Sequence, residues 1–237
     1  MISACFDIEK LKATFASERR VQITDFLNAN VAAAALASLD QEVEWSFAIR
    51  EGEADKLYLG SEWEAVPIES RQEILRAANR RASTDFQYMF DYYPLMSNYR
   101  ARINAHAYAN HLAGFIASDE YLSFVRELTG STEIASVDGQ ATRYRAGQYL
   151  TYHDDHAIKQ RRFAYVLNLS QVWHPDWGGL LQFHEPGGTV VEAWVPQFNC
   201  LNLFAVPMGH SVSFVTPFAA AYRYAITGWF LAGEEQQ

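Results

Sequence analysis

The chain has 237 residues, of which 49% are hydrophobic and 20% charged, with a formal net charge of −9. That balance describes a well-packed globule and excludes the basic footprint of a nucleic-acid or anionic-membrane binder. No apolar run approaches the roughly 18 residues of a membrane span, Met1 to Arg20 lacks the apolar core of a signal peptide, and only Cys5 and Cys200 are present, so a reducing, cytoplasmic setting without a disulfide framework is expected.

Taken in chain order, Ile8, Leu11 and Phe15 predict a helix over 7–18. Val21, Ile23 and Phe26 predict a short strand, after which Asn28 or Asn30 can cap an alanine-rich helix to about Leu39. Val43–Ile49 alternates as a strand, and 51–66 reads as a loop with a short strand. Pro67 fits the first turn of a helix running through Ile74 and Leu75 to about Arg81. Phe86, Tyr88, Phe90, Tyr92, Tyr93 and Tyr99 crowd one segment; they are assigned to core packing in preference to a wall beside a site, because aromatic rings carry most packing area.

Two more helices are expected, from about Ile103 to Ala117 and, capped by Ser118, from Asp119 to Leu128, with Gly130 at the C′ position. His106 and His111 are five apart, do not share a helical face, and read as surface or packed residues. From about 137 the chain becomes a run of short strands: Ala141–His153, Arg162–Ser170, Leu180–His184, Thr189–Ala193, Cys200–Ala205, His210–Val215 and Arg223–Leu231. The expected fold is therefore α+β, a helical support over 1–136 followed by a jelly-roll or barrel core over 137–232. No Gly-, Ser- or Pro-rich linker separates the halves, so one domain over 1–237 is expected.

The chemistry centres on His153-Asp154-Asp155. At the end of a strand, i and i+2 point to one face with Cα atoms about 6.6 Å apart, so an imidazole and a carboxylate can converge on one metal ion. A second histidine would complete a two-histidine, one-carboxylate face that leaves iron positions open. His174-Pro175-Asp176 has the same spacing, but its Pro and the following Gly178-Gly179 make a loop, which forces no shared face. For the third ligand His210, opening an alternating strand, is preferred to His184, which ends beside a Glu-Pro-Gly-Gly turn. Arg223, among largely apolar strand neighbours, either points to solvent or clamps an anion.

Six pieces in order carry a resemblance: Tyr144-Arg145-Ala146-Gly147-Gln148-Tyr149-Leu150; His153-Asp154-Asp155; Arg161-Arg162 leading into Tyr165–Leu169; Trp177-Gly178-Gly179-Leu180; Phe204 to His210-Ser211-Val212; and Arg223-Tyr224-Ala225-Ile226-Thr227-Gly228-Trp229. The last hundred residues resemble the iron(II)- and 2-oxoglutarate-dependent dioxygenases of the prolyl 4-hydroxylase-like group, nearest the ribosomal-protein prolyl hydroxylases. The resemblance implies a double-stranded β-helix with His153, Asp155 and His210 on iron. It further implies Arg223 on the far carboxylate of 2-oxoglutarate, helped by Tyr144, with Asn168 where relatives often carry a co-substrate tyrosine. Strand alternation turns Asn168 inward with Ala164 and Val166. Hydroxylation of a prolyl residue of a protein or peptide is the implied activity, using O₂, releasing succinate and CO₂, with ascorbate as a reductant. A free amino acid or small metabolite is the alternative substrate, and a non-catalytic cupin-like metal-binding protein the alternative class.

Overall fold

The computed structural model describes residues 1–233, so the last four residues of the expected 1–237 domain lie outside the described residues. Helix α1 (Ile8–Glu18) starts where Asp7 accepts from the Lys10 amide at 3.1 Å, and Arg19 ends it in a left-handed conformation. It leads into β1 (Arg20–Ile23), then α2 (Ala29–Gln41), for which Asn28 is the N-cap residue without a side-chain cap bond. Strands β2 (Ser46–Glu51) and β3 (Ala54–Tyr58) make a hairpin turned by Gly52 at φ 61°, followed by the short α3 (Gly60–Ala65) and by α4 (Ile68–Arg81). Pro67 caps α4 rather than occupying its first turn.

After β4 (Tyr88–Tyr93) come two helices, an unexpected one before Ile103 and a shorter form of the one expected from Ile103. These are α5 (Leu95–Ala101) and α6 (Tyr108–Ile116). Arg102 and Asn104 take positive φ, which no helix continues, and the Asn110 amide donates to the Ile103 carbonyl at 3.1 Å to hold the break. Helix α7 (Asp119–Thr129) has the expected ends, capped by the Ser118 hydroxyl and stopped by Gly130 at φ 71°.

The β half comprises β5 (Ile134–Tyr144), β6 (Tyr149–His153), β7 (Arg161–Asn168), β8 (Leu181–His184), β9 (Val190–Trp194), β10 (Cys200–Ala205), β11 (His210–Val212) and β12 (Arg223–Ala232). The single segment expected over Ala141–His153 is two strands. Gly147 at φ 88° breaks it, and the Gln148 side chain accepts from the Arg145 amide to close the turn. Every pairing is antiparallel, in the order β1-β10-β7-β12-β5-β4-β6-β11-β8-β9, with β2 and β3 attached to β4. The sheet curls into a half-barrel flanked by the N-terminal helices, which is the expected double-stranded β-helix.

Alternation sorts the side chains between two cores. Tyr165, Leu167, Ile226 and Phe230 face α1, α2, α6 and α7 in the larger core. Ala164, Val166, Phe183, Phe204 and Ala225 face the barrel interior. Phe230 and Leu203 are fully buried, so truncating either to Ala would cost about 3–5 kcal/mol. This packing holds β12, β7 and β5 as one rigid wall of the barrel.

Candidate active site

Strands β6 and β11 pair so that His153, the last residue of one, stands opposite His210, the first of the other. Their rings lie 4.0 Å apart. Each Nδ1 is tied to a carbonyl two residues back, Thr151 at 3.0 Å and Met208 at 2.8 Å. A nitrogen donating to a carbonyl carries the proton, which leaves both Nε2 lone pairs for a common centre. Burial lowers the pKa of both rings, that of His210 to about 3 with the adjacent His153 adding to the effect. Both imidazoles are therefore neutral, the state a metal requires.

Asp155 arrives by a different route from the one its spacing predicts. β6 ends at His153, and Asp155 lies beyond it at φ 63°. Pleat alternation therefore does not aim the carboxylate; a left-handed kink does, and Asp is among the few residues that tolerate one. Its Oδ2 sits 3.6 Å from His210 Nε2, and the donor atoms of His153, Asp155 and His210 lie within 4.8 Å of one another. Both carboxylate oxygens are held: Arg161 Nη1 donates to Oδ1 and Trp229 Nε1 to Oδ2, each at 2.8 Å. The Arg161 guanidinium also lies 3.5 Å from the centre of a Trp229 ring. Charge-assisted and stacked together, these two side chains fix the carboxylate. Two neutral imidazoles and one oriented carboxylate form the donor set and open geometry that suit Fe(II).

At the far end of the same cavity lies Arg223. It is 1% exposed, its Nε has no hydrogen-bond partner, and no acid stands within ion-pair distance among the described residues. The solvent-facing alternative for Arg223 is therefore excluded. Its nearest compensation is the Tyr144 ring, 5.2 Å from the guanidinium carbon and register-paired with it across β5 and β12. Burial lowers the arginine's pKa and raises that of the Tyr144 phenol. An isolated buried cation is costly, so the floor of the cavity fits a carboxylate that would pair with it. Gly179 is part of this arrangement: a Cβ there would lie 3.2 Å from Arg223 Cδ, and the Trp177-Gly178-Gly179 turn thus leaves room for the arginine stem.

Between the two ends the cavity encloses about 90 Å³ and is walled by apolar side chains, including Leu150, Val166, Leu181 and Phe204. Thr142, Gln140 and Thr227 add uncharged polar groups. Asn168 is fully buried and shares the barrel face, opposite Ala225, but does not line the cavity. Its amide donates to the Cys200 carbonyl at 3.4 Å and its own carbonyl oxygen is unpartnered. Val166, opposite Thr227, lines the wall from β7, together with Ala164 and Tyr165.

The rejected candidates stand apart. His174 precedes a short 3₁₀ turn at Pro175–Trp177, and His184 binds the Ser211 hydroxyl at 2.8 Å on the outside of the barrel. His106 and His111 are exposed. Sequence reasoning missed the roles of Arg161 and Trp229, although both fall within the quoted motifs, because contact across 74 positions between Trp229 and Asp155 has no local signal. In the 85–99 aromatic segment Tyr93 and Phe90 join the core as expected, although Phe90 also lines the cavity, whereas Phe86 is exposed and lies 5.6 Å from the His153 ring.

The profile of the 2OG-Fe(II) oxygenase superfamily matches residues 139–231. The mouse prolyl 3-hydroxylase OGFOD1 is 28% identical over 119 residues, and its Xenopus laevis counterpart 30% over 120. Each alignment covers 47% of this chain but only 22% and 23% of the relatives, so the chain matches under a quarter of their length. Among solved structures, a Pseudomonas putida prolyl-4-hydroxylase aligns with TM-score 0.59 at 19% identity over 96% of this chain and 100% of its own. A Trichoplax adhaerens prolyl hydroxylase, in complex with a hypoxia inducible factor peptide fragment, aligns with TM-score 0.60 at 19% identity, covering 95% and 89%. The epimerase SnoN from nogalamycin biosynthesis aligns with TM-score 0.59 at 12% identity over 95% and 83%, so the shared fold does not fix the reaction. Residues 139–231 therefore match the 2OG-Fe(II) oxygenase superfamily and share sequence with prolyl 3-hydroxylases, on a fold shared with prolyl hydroxylases, and His153, Asp155 and His210 converge there as a donor set that could hold a metal ion.

Proposed function

We propose that the protein is an Fe(II)- and 2-oxoglutarate-dependent dioxygenase that hydroxylates a prolyl residue of a protein or peptide. The observation that carries the reading is the pairing, in one cavity, of a three-donor metal site at one end with an unpartnered buried arginine at the other. A metal site alone would suit many proteins. A cation with no internal partner, facing the same chamber, calls for an anionic co-substrate that reaches from Arg223 to the metal. The prolyl substrate rests on the likeness to the prolyl 3-hydroxylases.

His153 Nε2, His210 Nε2 and Asp155 Oδ2 would hold Fe(II), while Arg223, with Tyr144 beside it, would take the far carboxylate of 2-oxoglutarate. Asn168, whose register partner Ala225 is two residues from Arg223, does not line the cavity and is given a supporting place behind the wall, with no contact to that carboxylate. Bound there, the iron with 2-oxoglutarate and O₂ supplies oxidative decarboxylation, yielding succinate and CO₂ and placing one oxygen atom on the substrate carbon. The protein's own part is positional. Thr151 and Met208 carbonyls keep each Nδ1 protonated, Arg161 and Trp229 keep the Asp155 carboxylate aimed, and Leu150, Val166, Leu181 and Phe204 keep the chamber dry. Ascorbate would serve as an external reductant of the iron. We take residues 1–237 as one domain and, from the two free cysteines, a reducing cytoplasmic setting; no helix is long and apolar enough to cross a membrane.

The test is an anaerobic spectrum with Fe(II) and 2-oxoglutarate, followed by succinate release with prolyl peptides. A charge-transfer band and peptide-stimulated succinate are expected. Absence of the band with both ligands present would refute the co-substrate assignment.

A further inference from the structure

The aromatic segment that partly escaped the core forms a continuous row from solvent to the cavity floor. Residues 86, 88 and 90 alternate onto one face. Phe86 lies 5.9 Å from Tyr88, Tyr88 lies 5.4 Å from Phe90, Phe90 lies 5.4 Å from Tyr144, and Tyr144 meets Arg223. Exposure falls along the row, from 39% at Phe86 to 8% at Phe90. At the outer end the Phe86 ring stands 5.6 Å from the His153 imidazole, so the row reaches solvent beside the metal ligands.

Phe86 is held there by backbone rather than by chance packing. The Thr151 amide donates to the Gln87 carbonyl at 2.9 Å, and the Gln87 amide donates to the Thr151 hydroxyl at 2.8 Å, extending the β4–β6 ladder one step beyond β4. Behind the ring lies Arg50, 5.7 Å from its centroid and paired with Asp55 at 3.0 Å. The two charges satisfy each other at the edge of the row, where Asp55 also reaches the Tyr88 hydroxyl, so the ring of Phe86 is the apolar part of the mouth. A partly exposed phenylalanine at a catalytic mouth, rigidly mounted and uncharged, suits an apolar ring that lacks a backbone N–H. Proline-rich segments in the extended polyproline conformation dock on such aromatic surfaces with little ordering cost.

Resting on the dioxygenase reading above, we infer that Phe86 and Tyr88 form the substrate platform, on which a prolyl segment stacks as it enters the site. Phe86 is a binding residue in this scheme, and Arg50 positions it. The row gives the protein a preference for prolyl over alanyl segments that is independent of the chemistry at the metal.

Protein loaded with Mn(II) and 2-oxoglutarate, with Mn(II) standing in for Fe(II), would be titrated with blocked tetraproline and blocked tetra-alanine. Tetraproline is expected to bind more tightly, and Phe86→Ala to weaken it about three- to tenfold while leaving tetra-alanine unchanged. Phe86→Trp is expected to keep the preference, and Tyr88→Leu to reduce it, so the outcome does not hang on one variant. A wild-type protein without the preference, or a Phe86→Ala variant that retains it, would overturn the platform. An anaerobic Fe(II)/2-oxoglutarate spectrum on the same preparation separates the two ideas. With the band present, loss of the platform leaves the dioxygenase reading standing; without the band, that reading falls by itself.

Discussion

Replacing Arg223 by Met separates a co-substrate clamp from a structural cation, because the two roles predict opposite effects on stability. Met keeps an unbranched apolar stem where the arginine passes Gly179 and packs near Tyr144, and removes only the charge. A charge-assisted arginine–carboxylate bond is worth about 1.5–3 kcal/mol, so 2-oxoglutarate affinity is expected to fall about 10- to 150-fold. The ligand-free protein carries the opposite sign. Arg223 is fully buried, has an orphan Nε and no ion-pair partner, and gains only the Tyr144 ring in compensation. Removing an uncompensated buried charge is expected to stabilise the apoprotein by about 1–2 kcal/mol, or ~2–8 °C in a chain of this size. Calorimetric titration with 2-oxoglutarate in the presence of Mn(II), beside thermal unfolding without ligands, reads both. A variant that unfolds earlier than the parent, or that binds 2-oxoglutarate within threefold of it, would refute the clamp.

Trp229→Phe keeps a ring beside Arg161 but deletes the indole donor to Asp155 Oδ2; Mn(II) affinity measured by calorimetry is expected to drop about tenfold, and an unchanged value would reduce the tryptophan to packing. Gly228→Ala would place a Cβ 2.0 Å from the Asp138 carbonyl oxygen and prise β12 from β5, costing about 1–3 kcal/mol in denaturant unfolding. The two histidines set a pH dependence in the apoprotein. Burial depresses both folded pKa values, so below about pH 6.5 the unfolded chain binds more protons than the folded one. Apoprotein stability is thus expected to be full above that pH and to decline as pH falls toward the depressed values, with His210→Phe flattening the decline; a profile that is flat in the parent would contradict the buried neutral pair.

Much of the β half was legible because alternation is a strong local signal wherever one strand face packs against helices and the other against a barrel interior. Tyr165 and Leu167 against Ala164 and Val166 are an example, and the same rule turned Asn168 inward. Caps carried α7, with the Ser118 hydroxyl at its start and Gly130 at its end, while apolar spacing carried α1. What failed was non-local. Helix α5 is unexpected, and the late start of α6 depends on Arg102 and Asn104 at positive φ, conformations that residue type alone does not announce for arginine. In the site, the His-x-Asp spacing identified the ligands for a reason that the structure replaces, since Asp155 converges through a left-handed kink outside the strand. Arg223 could be narrowed only to solvent or anion, because one strand does not say whether its inward face is dry. Phe86 looks like a core residue in any window of sequence; only the extension of the β4–β6 ladder to Gln87 and Thr151 reveals that it stands beside the His153 ring.

The charges lining the chamber also constrain how its ligands bind. Asp155 and Arg223 are the charged side chains among the lining residues, one negative and one positive, at opposite ends of an apolar cavity, and Arg161 already neutralises the carboxylate from outside. A divalent cation alone adds two positive charges to a low-dielectric space that contains an uncompensated arginine, and a dianion alone adds two negative charges beside Asp155. Together they add nothing. Each therefore offsets the desolvation cost of the other, and their binding is expected to be coupled by about 1–3 kcal/mol, a 5- to 150-fold mutual tightening. Linkage requires the same factor in both directions, so Mn(II) affinity with and without 2-oxoglutarate, and 2-oxoglutarate affinity with and without Mn(II), form a closed cycle. In Arg223→Met the chamber loses its positive charge and the cation alone is less penalised, so the coupling is expected to shrink together with the affinity. Independent binding in the parent protein would mean that the chamber is wet enough to screen its charges, and the buried arginine would then need another explanation.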